Sequence, residues 1–299
     1  SFELENGKTI GLVGETGAGK TSIAKAILRI LPEPPARVKS GEIWFEGREL
    51  LGLKEEEMRK IRGKNVSMIF QDPMTALNPI MRIGEQIAEV IRLHEKCGKA
   101  QSVQKAKEML EMVGIPGERY YEYPHQFSGG MKQRVVIAMA LACAPDLLLA
   151  DEPTTALDVT IQAQVLDMIN ELKERLNTSM IMITHDLGVV AQVCDSVAVV
   201  YAGEIMEYGT KEQIFDHPLY PYTKGLFGSL PNMNDDAERL SPIEGLPPNP
   251  ADLPKGCAFH PRCPYATEAC EQAHIPLTDM GGGHLCRCCR VNELAKEGK

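Results

Sequence analysis

Short apolar runs alternate with longer segments of helical periodicity along most of the chain. The strand-sized runs are Thr9 to Val13, Val66 to Phe70, Leu147 to Ala150 and Met180 to Thr184. The helix-sized segments that follow them are Lys20 to Ile30, Ile83 to Leu93, Val159 to Leu176 and Leu187 to Val193. Because such alternation is typical of parallel strands joined by helical crossovers, the pattern predicts an α/β fold with a mostly parallel sheet.

Two segments depart from this alternation. Between the second and third units, Ser102 to Val113 and Met131 to Cys143 have helical character, and Gly114 to Gln126 between them is rich in Tyr, Pro and Gly. They predict a helical insert at about 78–143. Later, Ser196 to Tyr201 and Glu204 to Tyr208 are separated only by Ala202-Gly203, which predicts an antiparallel hairpin.

The composition changes after about Pro231. Prolines cluster there, apolar periodicity fades, and six of the nine cysteines lie between Cys257 and Cys289. We therefore expect a main domain at 1–231 and a loop-rich, Pro- and Cys-rich tail module at 232–299.

Charge and hydropathy restrict the possible functions. The 299 residues carry 32 Lys and Arg against 41 Asp and Glu, a net charge of -9, and the longest basic clusters, such as Lys132 to Arg134, are short. This argues against a general nucleic-acid surface. No apolar run approaches the ~20 residues of a membrane span, and no leader precedes the first strand, so the cytosol is the expected compartment. Because the chain starts at Ser1 without a Met, we expect further residues upstream.

A phosphate-binding pattern follows the first predicted strand and opens the next helix. Its residues, with the serine that follows, are Gly14, Glu15, Thr16, Gly17, Ala18, Gly19, Lys20, Thr21 and Ser22. Glycines let backbone N–H groups converge on one anion, and the helix N-terminus adds about half a positive charge. In this pattern Lys20 reaches the β and γ phosphates and the Thr21 hydroxyl binds Mg²⁺. The alternative is a glycine turn without a ligand.

Two carboxylates end the apolar strand that begins at Leu147. They are Asp151 and Glu152, followed by Pro153. Ligands of parallel sheets bind at the carboxyl ends of the strands. Asp151 is then placed to hold Mg²⁺ and Glu152 to polarise the water that attacks the γ-phosphate. The alternative is a polar strand end that caps the following helix.

The segment FSGGMKQR at Phe127 to Arg134 resembles the signature motif of ABC-type ATPases. Together with four further elements, it occurs in the order typical of that family. These elements are the phosphate loop, Gln71 as the Q-loop glutamine, Asp158 in the D-loop Ala156-Leu157-Asp158, and His185 as the switch histidine. The resemblance covers Ser1 to about Pro231. It implies an ABC-type P-loop fold that binds ATP and Mg²⁺ and hydrolyses ATP.

The resemblance also implies roles for single residues. Gln71 reaches Mg²⁺ or the attacking water, and His185 hydrogen-bonds the γ-phosphate. Ser128, Gly129 and Gly130 act on the nucleotide of a second ATPase chain, either a paralogue or another copy, in a dimer closed by ATP. The family's adenine-stacking aromatic residue lies upstream of this sequence, so no residue is assigned to that role.

The surroundings of Gln71 and the segment HPLYPYTKGL at His217 to Leu226 look like the ATPase subunits of dipeptide and oligopeptide importers. This implies two transmembrane permease partners, an external peptide-binding protein acting indirectly, and a position on the inner face of the cell membrane. Related nickel importers share much of the pattern. A soluble non-transport ABC ATPase and an iron–sulfur sensor also stay open as functions.

Clustered thiols in a Pro-rich tail favour a metal over disulfides, which a reducing cytosol disfavours. Spacing alone leaves zinc, an iron–sulfur cluster and free thiols open, and the tail histidines His260, His274 and His284 are read as ordinary loop residues or zinc ligands. The tail also resembles that of the peptide-importer family, in which some members are associated with a 4Fe-4S cluster. That resemblance implies the ligands Cys257, Cys263, Cys270 and Cys288, with Cys286 or Cys289 as alternatives to Cys288. Cys97, Cys143 and Cys194 receive no role.

Overall fold

A computed structural model describes residues 1–155, 157–229 and 243–297. The strands among these residues are β1 (Thr9–Val13), β2 (Trp44–Phe45), β3 (Arg48–Glu49), β4 (Val66–Ile69), β5 (Leu147–Asp151), β6 (Ser179–Ile183), β7 (Ser196–Tyr201), β8 (Glu204–Thr210), β9 (Thr278–Asp279) and β10 (Leu285–Cys286). The helices are α1 (Lys20–Ile27), α2 (Glu55–Ile61), α3 (Pro73–Ala76), α4 (Ile83–His94), α5 (Lys99–Met112), α6 (Gly129–Leu141), α7 (Val159–Leu176), α8 (Leu187–Val193), α9 (Lys211–Asp216), α10 (Pro221–Gly228), α11 (Ala269–Gln272) and α12 (Val291–Glu297).

The chain forms two compact units. The first comprises Ser1–Glu3, Ile10–Lys20 and Thr184–Lys299, and the second comprises Leu4–Thr9 and Thr21–Ile183.

The second unit is built on three parallel strands. β4 pairs with β5, and β5 pairs with β6. Every residue of these strands is buried, as expected for parallel strands that are covered on both faces. The predicted parallel α/β core is confirmed here.

A helical insert follows β4 in the same unit, as predicted. The helices α4, α5 and α6 pack against one another. The backbone N–H of Ile83 donates to the Glu122 carbonyl at 2.8 Å, which ties the start of α4 to the turn before α6. The buried Tyr120 ring fills the space above Gly84, where a Cβ would lie only 1.9 Å away.

The first unit has a mixed sheet. β1 pairs in parallel with β7, and β7 pairs antiparallel with β8, which confirms the predicted hairpin. The tail then adds two short strands: β10 pairs with β8, and β9 pairs with β10. Residues of the tail therefore extend the sheet of this unit.

Several helix boundaries differ from the sequence prediction. α1 ends at Ile27 and not at Ile30, because Arg29 adopts a left-handed conformation with φ of 52°. α6 begins at Gly129 and ends at Leu141, so Cys143 lies beyond it and is half-buried. The predicted division at 231/232 falls outside the described residues, and it stays a prediction.

Among the described residues, no helix has both the length and the apolar character that crossing a bilayer requires.

Candidate nucleotide-binding site and cysteine pocket

The phosphate loop leaves a fully buried strand. Ile10 and Leu12 of β1 have no exposed surface. Gly14 turns the chain with φ of 150°, and a Cβ at this position would lie 2.1 Å from the Val200 carbonyl oxygen. Only glycine fits this close approach of two backbones. This close approach fixes the start of the phosphate loop, whose backbone continues into α1.

Lys20 is folded back over the loop. Its side chain is buried, and Nζ donates to the carbonyl oxygens of Gly14 at 2.7 Å and Glu15 at 3.0 Å. A buried ammonium needs such acceptors to offset its lost hydration. The arrangement keeps a positive charge inside the loop.

Thr21, the next residue, contacts the end of β5. Its hydroxyl donates to Asp151 Oδ1 at 3.0 Å, and Asp151 is only 3% exposed. A hydroxyl oxygen and a carboxylate are the hard oxygen ligands that Mg²⁺ takes. The structure thus brings together two of the three residues predicted to bind the ion.

The third predicted ligand, Gln71, lies next to the predicted base. Gln71 Nε2 donates to Glu152 Oε2 at 2.8 Å, and the Thr155 hydroxyl donates to the same oxygen at 3.0 Å. Glu152 adopts a left-handed conformation with φ of 46°, which is uncommon for a residue with a side chain. Two side-chain hydrogen bonds therefore hold its carboxylate.

The signature segment lies at the N-terminus of α6. Ser128 caps this helix by accepting from the Met131 N–H at 3.4 Å, and Ser128 and Gly129 are exposed. Gln133 within the helix donates to the Pro153 carbonyl at 2.5 Å. This buried hydrogen bond joins α6 to the residue that follows Glu152.

The remaining predicted residues occupy helix starts. Asp158 caps α7 by accepting from the Ile161 N–H at 3.0 Å. His185 is exposed in the residue pair before α8, where Asp186 provides the cap. Ala156 of the predicted D-loop lies outside the described residues.

Five of the six cysteines of the tail line one pocket. Of the thiols predicted as ligands, Cys257, Cys263, Cys270 and Cys288 all line it, together with Cys289 and apolar groups that include Phe259 and Leu294. Burial raises the pKa of Cys288 to about 11. Cys286 is not among the lining residues. It is buried near Glu207, and burial raises its pKa.

Local contacts hold the pocket. The Cys257 N–H donates to the Cys270 carbonyl at 2.8 Å, and the Tyr220 hydroxyl lies 3.0 Å from Cys257 Sγ. Cys270 and Cys289 are 3.6 Å apart at their sulfurs. Among the described residues, no group of three or more His, Cys, Asp or Glu is placed to hold a metal ion.

His284 is not an ordinary loop histidine. It is buried, and its Nε2 lies 2.8 Å from Glu207 Oε1. Glu207 also accepts from the backbone N–H groups of Leu219 and Tyr220, at 2.7 and 3.0 Å. His284 therefore joins the tail to β8 and to the start of α10.

Two contacts of the phosphate loop were not predicted. The Tyr222 hydroxyl accepts from the Glu15 N–H at 2.9 Å, and Arg262 of the tail pairs with the Glu15 carboxylate. Tyr222 lies in the His217 to Leu226 segment and Arg262 lies between two predicted cysteine ligands, so both stretches stand out in the sequence. Nothing in either stretch indicates a contact with Glu15.

Family comparisons agree with this geometry. Residues 1–155 match the model of the ABC transporter family, and residues 206–270 match the C-terminal region of oligopeptide/dipeptide transporters. The chain therefore belongs to the ABC transporter family, and it is an ATP-binding ATPase.

Individual relatives identify a subgroup of the ABC transporter family that this chain resembles in sequence. It is 50% identical to the dipeptide transport ATP-binding protein DppD of Bacillus subtilis, over 99% of this chain and 89% of that protein. It is 53% identical to the oligopeptide transport ATP-binding protein OppD of Haemophilus influenzae, over 96% of this chain and 89% of the relative. The chain belongs with the ATP-binding subunits of dipeptide and oligopeptide transport.

Solved structures show the same fold. A bacterial ABC transporter cassette solved as a dimer matches with a TM-score of 0.62 at 25% identity, covering 70% of this chain and 88% of that one. A subunit of an ABC transporter complex from Clostridium perfringens matches with a TM-score of 0.63, covering 72% and 82%.

Proposed function

We propose that this chain hydrolyses ATP to drive the import of dipeptides or oligopeptides through two permease subunits. Two contacts carry the proposal. The contact of Thr21 with Asp151 forms a site suited to a metal ion, and the contact of Gln71 with Glu152 holds a carboxylate that can act as a base. The relatives' names in peptide transport favour peptides over nickel.

The phosphate loop binds the nucleotide. The loop N–H groups of 14–19 and the start of α1 receive the phosphates, and Ser22 lies in the same helix turn. Lys20 exchanges its contacts with Gly14 and Glu15 for phosphate oxygens. The buried ammonium then gains a stronger, charged partner.

Thr21 and Asp151 fit Mg²⁺, because both present oxygen atoms and already lie within hydrogen-bond distance. Thr21 and Asp151 would hold the ion, with the Gln71 amide oxygen as a further ligand, and the ion would supply positive charge against the β and γ phosphates. Asp151 keeps the Thr21 oxygen in place.

Glu152 orients the attacking water. Its carboxylate is held by Gln71 and Thr155, so that an oxygen points in a fixed direction. His185 contacts the γ-phosphate. The bond between Gln71 and Glu152 also gives the insert helices, which follow Gln71, a means of responding to the state of the nucleotide.

The exposed signature segment acts in a dimer. Ser128, Gly129 and Gly130 at the start of α6 present a hydroxyl and backbone N–H groups to the nucleotide of a second ATPase chain. Asp158 lies at the same interface. The region from Gln71 to Leu93 forms the groove that receives the cytoplasmic helices of the permeases, so the chain lies on the inner face of the membrane.

The cysteine pocket suits a 4Fe-4S cluster. A 4Fe-4S cluster requires four thiolate ligands. Three segments of the tail contribute the four predicted thiols to the apolar lining of this pocket. Each thiolate of a cluster binds a different iron, so the thiols need not converge on one point. Cys257, Cys263, Cys270 and Cys288 would hold it, and Cys289, the other lining thiol, is the alternative to Cys288.

Uptake measurements test the transport proposal. Cells that produce the chain with its permeases and external binding protein should take up labelled dipeptides and tetrapeptides, and Lys20→Ala should abolish that uptake. Nickel uptake that depends on Lys20, with peptide uptake absent, would show that the substrate assignment is wrong. Peptide uptake that is unchanged in Lys20→Ala would reject the ATP-driven mechanism itself.

A further inference from the structure

A tail arginine is paired with a carboxylate of the phosphate loop. Arg262 Nη1 lies 2.8 Å from Glu15 Oε2, and Nη2 lies 3.0 Å from Glu15 Oε1. This is a two-pronged pair, the geometry that guanidinium and carboxylate groups form most strongly. The two residues are 247 positions apart in sequence.

The remaining donors of Arg262 are also used. Nε donates to the Glu244 carbonyl at 3.0 Å, Nη1 to the Tyr201 hydroxyl at 3.2 Å, and Nη2 to the Ile243 carbonyl at 3.5 Å. Together with the pair to Glu15, these contacts occupy all five N–H groups of the guanidinium. The side chain is 6% exposed. Arg262 is therefore fixed in one position.

The backbone of Glu15 takes part in two contacts of the phosphate loop. Its backbone N–H donates to Tyr222, and its carbonyl accepts from the Lys20 ammonium at 3.0 Å. Its carboxylate follows the first glycine of a loop whose ligand carries several negative charges. Left unpaired, this carboxylate would repel the phosphates at short range.

We propose that Arg262 is a positioning residue for nucleotide binding: it neutralises Glu15 and holds the phosphate loop in the form that accepts ATP. The inference rests on the proposed role of Gly14–Thr21 as the ATP site. It gives the tail a direct part in nucleotide affinity, because the turn His260–Arg262 that carries the arginine lies between Cys257 and Cys263.

The pair can be tested by charge removal. Arg262→Gln should weaken ATP binding about tenfold, because the Glu15 carboxylate is then uncompensated. The double variant Glu15→Gln with Arg262→Gln removes both charges and should return the affinity to within about twofold of the wild type. Arg262→Lys keeps the charge without the fork and should be intermediate.

The measurement is the dissociation constant of a fluorescent ATP analogue for the purified full chain, at low and high salt. The loss in Arg262→Gln should shrink at about 1 M KCl, where screening acts over roughly 3 Å. Arg290→Gln is the matched control. Arg290 is also a tail arginine next to a lining cysteine, but it contacts Tyr265 and Glu293, so ATP affinity should not change.

Unchanged affinity in Arg262→Gln would overturn the inference. So would a double variant that stays as weak as Arg262→Gln, because the arginine would then only anchor the tail. Thermal unfolding and metal content of each variant show whether the tail remains folded. If Lys20→Ala binds ATP like the wild type, the proposed ATP site fails; if Lys20→Ala loses binding and Arg262→Gln does not, only this inference fails.

Discussion

Thr21 and Asp151 share a hydrogen bond of 3.0 Å although 130 positions separate them in the chain. Thr21 is the second residue of α1, directly after the phosphate loop, and Asp151 ends a strand whose residues are all buried. Rigid elements on both sides therefore fix the two oxygens. This is the arrangement that a divalent ion with strict geometry requires.

Replacing Thr21 by Val should weaken the response to magnesium. The hydroxyl that contacts Asp151 is lost, whereas the shape of the side chain is kept. We expect the Mg²⁺ concentration for half-maximal ATPase activity to rise by about tenfold, since one ligand is removed. A magnesium titration of ATPase activity measures this.

Thr278→Val is the control for that titration, because Thr278 is exposed in the tail strand β9. Its magnesium dependence should equal that of the wild type. An unaltered titration in Thr21→Val would show that the hydroxyl does not bind the ion.

Replacing Glu152 by Gln should stop turnover without preventing ATP binding. The amide keeps the contact distance to Gln71 and Thr155 but cannot act as a base, and loss of such a group costs about 10²–10⁴-fold in rate. Single-turnover hydrolysis and ATP binding are measured on the same preparation. Sedimentation should show a dimer that persists in the presence of ATP.

The exposed Glu171 of α7 provides a matched control, and Glu171→Gln should hydrolyse ATP at the wild-type rate. Turnover by Glu152→Gln above about a tenth of the wild-type rate would reject the role of Glu152 as the base.

The proposed 4Fe-4S cluster makes a prediction about which thiols are needed to bind iron. Cys257→Ser and Cys288→Ser should each lose iron and acid-labile sulfide from protein purified without oxygen, because both side chains line the pocket. Cys286→Ser should keep them, since Cys286 is not among the lining residues and lies near Glu207. Iron, sulfide and zinc per chain are the quantities measured.

Two outcomes would contradict this assignment. Zinc without sulfide in the wild type would replace the cluster by a single-ion site. Iron loss in Cys289→Ser but not in Cys288→Ser would make Cys289 the fourth ligand, which its position in the same lining allows.

The sequence was informative wherever the signal is local. The buried strands β1, β5 and β6 were predicted because each is a continuous apolar run, and the phosphate loop because its glycines and lysine are adjacent in the chain. The hairpin of β7 and β8 was predicted because only two residues separate its strands.

Long-range contacts of charged side chains left no such signal. Nothing in the spacing of Arg262 and Glu15 indicates that they meet, since a single arginine has no periodicity. The same holds for β10, whose two residues are too short to show alternation, although they pair with β8. The buried contact of His284 with Glu207 was missed for this reason as well.

Replacing Gly84 by Ala should destabilise the insert. Alanine is favoured over glycine within a helix by about 1 kcal/mol, but a Cβ here would lie 1.9 Å from the Tyr120 ring. Tyr120 is only 1% exposed, so its ring is enclosed by neighbouring residues and cannot turn outwards into solvent without disturbing them. The cost of forcing atoms into a packed core is about 1–3 kcal/mol, and a clash this close lies at the upper end. We therefore expect a net loss of about 2 kcal/mol in the free energy of unfolding, measured by urea denaturation.

Gly98→Ala is the control, because a Cβ there meets no heavy atom of the described residues within 4 Å, and its effect should stay below about 1 kcal/mol. Equal stability of Gly84→Ala and the wild type would mean that α4 and the Tyr120 turn can separate at little cost, and that their close packing does not stabilise the insert.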